Sequence, residues 1–144
     1  MSIEDTGALP RAEFAFPGPL RDKLVAAILA GTKTATAGLL VEYERENEPL
    51  PKVGGRALVV DSGNRPVVVI ETTEVRVIPA GEVDLQFAID EGEGFESVAD
   101  WRAAHERFWL GEDMRAALGE PPVEVTDETP IVAERFRLVE RLAT

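Results

Sequence analysis

The chain has 144 residues, 44% of them hydrophobic and 29% charged, with a formal net charge of −12. That length supports one domain around one buried core, and the acidic balance excludes a bulk electrostatic grip on phosphate, which runs on surplus Lys and Arg. With no cysteine and a single histidine, His105, a disulfide partner, a thiolate metal site, a cysteine nucleophile and a His-rich zinc centre are excluded together.

The charge is unevenly placed. Residues 1–65 hold 8 basic and 9 acidic groups, whereas residues 66–144 hold 7 and 18. The acidic half reads as a solvated face that keeps the protein soluble. No apolar run approaches the ~18–20 residues of a membrane span, and Met1–Arg11 lacks a signal-peptide pattern. A cytoplasmic protein with no membrane partner is expected.

In chain order, residues 1–13 are polar and aperiodic and read as a flexible terminus, with a single domain over residues 14–144. Pro19 suits the first turn of a helix in which Leu20, Leu24 and Ile28 repeat at helical spacing, widened by Val25 and Leu29. Gly31 sits where a glycine ends such a helix. Thr32 to Gly38 lacks an apolar period and reads as a hydroxyl-rich loop; Leu39–Glu46 reads as a short helix stopped by Pro49-Leu50-Pro51. Ala57–Asp61 is β-rich, Ser62–Arg65 is a turn, and Val67–Ile78 is either one long bent strand or a further hairpin. Asp84–Asp90 is a short helical stretch, and Ser97 opens an aromatic helix with Asp100 three residues on. Ile131–Leu142 alternates as a closing strand. This order argues for an α+β fold over a repeating βαβ sheet.

The chemical inventory is thin. No GxGxxG follows a strand, no P-loop exists, and Ser2, Ser62 and Ser97 lie in no nucleophile elbow. No carboxylate spacing resembles a calcium loop, so no metal and no cofactor is expected. What stands out is Lys33, just past a helix end and flanked by Thr32, Thr34 and Thr36. One reading has the threonines satisfying orphan carbonyls while Lys33 complements the helix dipole. The other makes Lys33 a buried amine, its pKa lowered by desolvation, that accepts a proton from a nearby hydroxyl. Trp101, His105 and Phe108 at helical spacing read first as core, with His105 a hydrogen-bonded structural histidine. Tyr43 either stacks on a heterocycle or packs beneath the short second helix.

Gly31-Thr32-Lys33-Thr34-Ala35-Thr36, within Leu24–Gly38, resembles the signature of the ASCH domain family of the PUA-like superfamily. The leader Phe16-Pro17-Gly18-Pro19-Leu20-Arg21-Asp22, Leu50–Gly54, Phe87–Gly94 and Trp101–Phe108 add ordered matches to its longer bacterial branch, over about residues 14–142. The resemblance implies a PUA-like β-barrel with flanking α-helices and a cleft lined by the GxKxxT loop. A branch of that family hydrolyses the acetamide of N4-acetylcytidine with a lysine, a threonine and a glutamate. Carried over, these fall on Lys33, Thr36 and Glu91 as catalytic candidates, with Glu93 the rival carboxylate; Arg21, Thr34, Tyr43 and Glu93 are candidates for holding substrate. Other members are described as RNA-binding or as ribonucleases, so the expected partner is a modified nucleoside or a short RNA. A sensor that keeps the pocket without turnover is a third possibility.

In that reading Thr36 attacks, Lys33 takes and returns the proton, Glu91 serves the leaving amine or orients water, and amides of Thr34–Gly38 offer oxyanion donors. Charge favours the nucleoside: a nearly neutral ligand meets little repulsion, whereas a long RNA depends on whatever small positive face Arg21, Lys23, Lys33, Lys52 and Arg56 build.

Overall fold

The computed structural model describes residues 9–142. Five strands form one sheet in the order β1-β3-β4-β5-β2: β1 Arg11–Ala12, β2 Ala35–Leu39, β3 Arg56–Val60, β4 Pro66–Pro79 and β5 Pro130–Arg141. Helices α1 Pro19–Ala30, α2 Leu40–Arg45, α3 Leu85–Asp90, α4 Val98–Trp109 and α5 Glu112–Leu118 flank it. The fold is α+β as expected, and because the two outer strands β1 and β2 do not pair, the barrel is open between them. No described helix is long and apolar enough to cross a membrane.

Local chemistry explains most boundaries. Pro19 opens α1, and Gly31, at φ 83°, closes it with its amide on the carbonyl of Ile28. Ser97 Oγ accepts from the Asp100 amide at 3.0 Å and starts α4. β4 is one long strand, bent where its register with β5 shifts between Val69 and Ile70 and between Thr72 and Glu74.

Two stretches differ from the sequence reading. Of the terminus expected to be flexible, residues 1–8 lie outside the described residues, as do 143–144 at the far end, while Arg11 and Ala12 pair in parallel with Leu58 and Val59. The hydroxyl-rich loop becomes a strand from Ala35 onward. Alanine and glycine are poor strand formers, but Ala35, Ala37 and Leu39 alternate onto the core, and β5 supplies the ladder from Ala35↔Arg135 to Leu39↔Ile131. Helix α5, which no motif marked, buries Met114 and Leu118.

The alternation of β2 and β5 sorts the two cores. Ala35, Leu39, Ile131 and Ala133 pack under Phe87, Trp101 and Trp109 of α3 and α4. Phe136 and Ile70 turn to the other face, with Val25 and Ile28 of α1. Thr36, Gly38, Thr72 and Glu134 share this second face by strand parity. A polar group is thereby built into an apolar sheet.

Candidate functional site

Lys33 lies between α1 and β2 and is 2% exposed. Its side chain does not cap the helix. Thr32 does that, with its amide and hydroxyl on the Ala27 carbonyl at 3.0 and 3.2 Å. Lys33 Nζ turns inward and donates to the carbonyls of Ala35 at 2.9 Å and Glu91 at 3.2 Å. Carboxylate oxygens of Glu91 and Glu93 each lie 3.7 Å from Nζ. The Phe14 ring centroid is 5.9 Å away and covers it.

The turn after α3 brings those carboxylates in because Gly92 lets two backbones meet. Gly92 has φ +72°, and a Cβ there would stand 2.4 Å from the Thr32 carbonyl oxygen and 2.7 Å from Lys33 Cα. Thr34 completes the junction: its amide donates to Asp90 O at 2.8 Å and its hydroxyl reaches the same oxygen at 3.4 Å. One oxyanion donor expected of this loop is thus already engaged.

Glu91 is 1% exposed and clamped. Trp101 Nε1 donates to one of its oxygens, and His105 Nε2 lies 3.2 Å from the other. His105 Nδ1 faces the Trp101 carbonyl at 2.8 Å, and its ring stacks on the Trp101 indole with centroids 4.2 Å apart. Both imidazole nitrogens therefore face oxygen atoms of neighbouring groups. The aromatic helix is core, as its spacing indicates, and it also fixes the site carboxylate. Glu93 is less enclosed, its side chain 20% exposed. Burial holds its carboxyl above the usual range, with the Lys33 charge opposing.

Ligand atoms of Glu91, Glu93 and His105 converge within 4.8 Å of one another, a grouping with donors suited to a divalent ion. In this structure the positive charge beside the two carboxylates is that of Lys33.

On the adjoining sheet face, Thr36 stands directly across from Glu134. Glu134 Oε2 accepts from Thr72 Oγ1 at 2.7 Å, and burial pushes its carboxyl up against the pull of that bond and of Lys33. A Cβ on Gly38 would lie 3.1 Å from Glu42 Oε2 and 3.9 Å from the Tyr43 hydroxyl, so α2 folds its side chains back over this face. Burial raises the Tyr43 phenol well above its usual value, with Glu134 and Glu42 adding to it. Tyr43 also lines an open cleft of about 430 Å³ with Leu40, Glu44, Asn47, Glu48, Pro49 and Leu50.

Lys33, Glu91 and Glu93 therefore meet, and Thr36 and Tyr43 share the adjoining face. Arg21 does not join them. It is 2% exposed and donates to the carbonyls of Phe14 at 3.1 Å and Ala15 at 2.8 Å, fixing the leader that carries Phe14. The small positive face does not form either, because Arg21 and Lys33 are buried and Arg56 pairs with Glu71 at 3.0 Å. Glu134 and Thr72 were not legible as site members, although a Glu between the inward positions of Val132 and Phe136 was a signal.

Glu42 yields a prediction. Its carboxyl accepts from the Leu39 amide at 3.1 Å and is raised to about 7, chiefly by burial. A folded pKa above the unfolded one means that the folded state holds the extra proton, so stability present at low pH is lost as pH rises through about 7. Discounted for partial exposure, this amounts to about 1–2 kcal/mol. Glu42→Gln is expected to flatten that part of the stability profile in chemical denaturation between about pH 5 and pH 8. An unchanged slope would refute the assignment.

The family model described as the ASCH domain matches residues 13–140. A crystal structure of protein EF3133 from Enterococcus faecalis V583 is 27% identical, with a TM-score of 0.77 over 90% of this chain and 76% of that one. The ASCH domain from Lactobacillus crispatus JV V101 is also 27% identical, with a TM-score of 0.74 over 96% and 86% of the two chains. A mutant form of ZmASCH from Zymomonas mobilis, at 11% identity and a TM-score of 0.51 over 90% of this chain and 71% of that one, shares the fold alone. No curated protein matches the sequence.

Proposed function

The chain belongs to the ASCH domain family, and from that premise we propose that it hydrolyses the exocyclic amide of an N4-acylated cytidine, with Thr36 as nucleophile and Lys33 as proton carrier. The observation that carries the reading is the Lys33 amine, buried at 2% exposure, held by two main-chain carbonyls and flanked at 3.7 Å by two carboxylates.

The two carboxylates have different tasks. Glu91, fixed by Trp101 and His105, holds Lys33 in place. Glu93, more open and already biased toward its neutral form by burial, is the group that exchanges a proton with Nζ. Transfer from Lys33 to Glu93 turns an ion pair into a neutral pair, which a poorly solvated site tolerates better. The freed lone pair of Nζ takes the Thr36 proton as Oγ bonds to the acyl carbon. The outward amides of the outer strand β2, apart from that of Leu39, which Glu42 holds, and the Tyr43 hydroxyl, kept protonated by its raised pKa, are donors for the resulting oxyanion. Collapse breaks the C–N bond, and Lys33 returns the proton to the departing N4 amine. Water, deprotonated by the same amine, then attacks the Thr36 ester; the C–Oγ bond breaks, the amine returns that proton to Thr36 Oγ, and the acid departs as its carboxylate after losing a proton to solvent.

Charge supports a nucleoside over RNA. Glu44 and Glu48 line the cleft beside Tyr43, and the Lys33 amine is already held by two carbonyls and flanked by Glu91 and Glu93, so a phosphate finds no free cation there among the described residues. The test is chromatographic. Purified protein is expected to release cytidine from N4-acetylcytidine over many turnovers without added metal. Absence of cytidine from a folded sample would refute the reading.

A further inference from the structure

We propose that Glu134 reads the heterocycle: its carboxyl pairs with a ring nitrogen and the neighbouring exocyclic N–H, making the substrate class N-acylated amino-azines that present that acceptor and donor side by side. The proposal rests on the hydrolase reading for where the ligand sits.

Register provides the first support. Glu134 is the direct antiparallel partner of Thr36, and such partners project from the same face with Cβ atoms about 4.5–5.5 Å apart. A carboxyl there lies beside the acyl group that Thr36 attacks, where the amide nitrogen of the substrate must be. Hydrogen bonding provides the second. Thr72 Oγ1 takes one lone pair of Oε2 at 2.7 Å, and no described residue donates to Oε1. One end of the group is anchored and the other is open. An anchored carboxyl with a free oxygen is suited to holding a ligand in one orientation.

Protonation provides the third. A neutral carboxyl offers one O–H donor and one carbonyl acceptor; a carboxylate offers acceptors only. Cytosine shows an acceptor at N3 beside the donor at N4, and this survives monoacylation of N4. The neutral carboxyl matches that edge, while the carboxylate meets N3 with like polarity. Uracil shows the reverse order, a donor at N3 beside an acceptor at O4. The groups facing Glu134 are Lys33 from the segment before β2, Thr72 from β4, and Tyr43 from α2 with Glu42 beside it. Burial favours the neutral form, and Lys33 and Thr72 oppose it.

Kinetics of the wild type, Glu134→Gln and Glu134→Leu on N4-acetylcytidine and its 3-deaza analogue test this. Glutamine presents the same donor and acceptor at every pH. Its KM should therefore stay within about threefold of wild type and remain flat with pH, while the wild-type KM climbs as Glu134 ionises. Glu134→Leu should raise KM by about 5- to 150-fold, the discrimination of one bidentate pair. The deaza analogue should lose as much against the wild type and nothing more against Glu134→Leu. An unchanged KM in Glu134→Leu, or equal use of the deaza analogue by the wild type, overturns the proposal and leaves the hydrolase reading standing. Should the wild type release no cytidine, calorimetric binding of cytidine and uridine decides instead. A cytidine preference erased in Glu134→Leu and kept in Glu134→Gln supports recognition by Glu134; equal binding of the two nucleosides overturns it.

Discussion

Lys33→Ala is expected to lower turnover of N4-acetylcytidine by about 10³-fold, within the range of about 10²–10⁴ for loss of a positioned proton carrier. Alanine removes the only amine near Thr36 in sequence and leaves Glu91 buried among Trp101 and His105 without its cationic neighbour. That second effect is structural: breaking one side of a buried ion pair costs about 3–5 kcal/mol. Two variants separate the roles. Lys33→Arg keeps a positive charge in the site but cannot surrender a proton at working pH, so it should recover much of the stability and none of the turnover. Denaturation curves and initial rates on the same preparations provide the check. Substantial activity in Lys33→Arg would show that charge alone suffices and that no proton passes through Nζ.

Gly92→Ala should be the most damaging single methyl group in the site. The added carbon would stand 2.4 Å from the Thr32 carbonyl oxygen, and φ is +72°, a region where only glycine is at ease. Because the clash is with backbone, either the turn carrying Glu91 and Glu93 or the segment carrying Lys33 must move. Overpacking and backbone strain together give about 2–4 kcal/mol, or a fall in Tm of about 5–15 °C at this chain length. Gly94 is the internal control. Its φ is +85° but a Cβ there meets nothing within 4 Å, so Gly94→Ala should cost only about 1 kcal/mol. Equal melting temperatures for the two variants would contradict the close approach at Gly92.

The parts of this molecule legible in its sequence are those set by neighbours a few residues apart. Pro19, Gly31 and Ser97 mark helix ends through local hydrogen bonds and allowed dihedrals, and each does so in the structure. The alternation from Ile131 marked β5 because one face of that strand is buried. Strand β2 was hidden because Ala and Gly have little strand preference of their own; its identity comes from pairing with β5, about a hundred residues away. Separation in sequence also hid Glu134 and Thr72, 62 residues apart, which meet where β4 and β5 pair beside a register shift. Lys33 and Thr36 were marked by a motif, but composition alone also allowed Lys33 to cap α1. Its side chain turns inward where the Gly92 turn meets the Thr32–Lys33 backbone, a long-range approach that no local pattern expresses. The helical spacing of Trp101 and His105 predicts core packing, and Trp101 is fully buried with His105 half-buried against it; their grip on Glu91 follows from the approach of α3 to α4.

The most direct test of the chemistry is to quench the reaction with N4-acetylcytidine early and locate acetyl on the protein by peptide mass spectrometry. The Thr36 mechanism predicts acetyl on Thr36 in the wild type, none there in Thr36→Val, and no cytidine release by that variant. Full turnover by Thr36→Val, with no acetylated peptide in either protein, would contradict it.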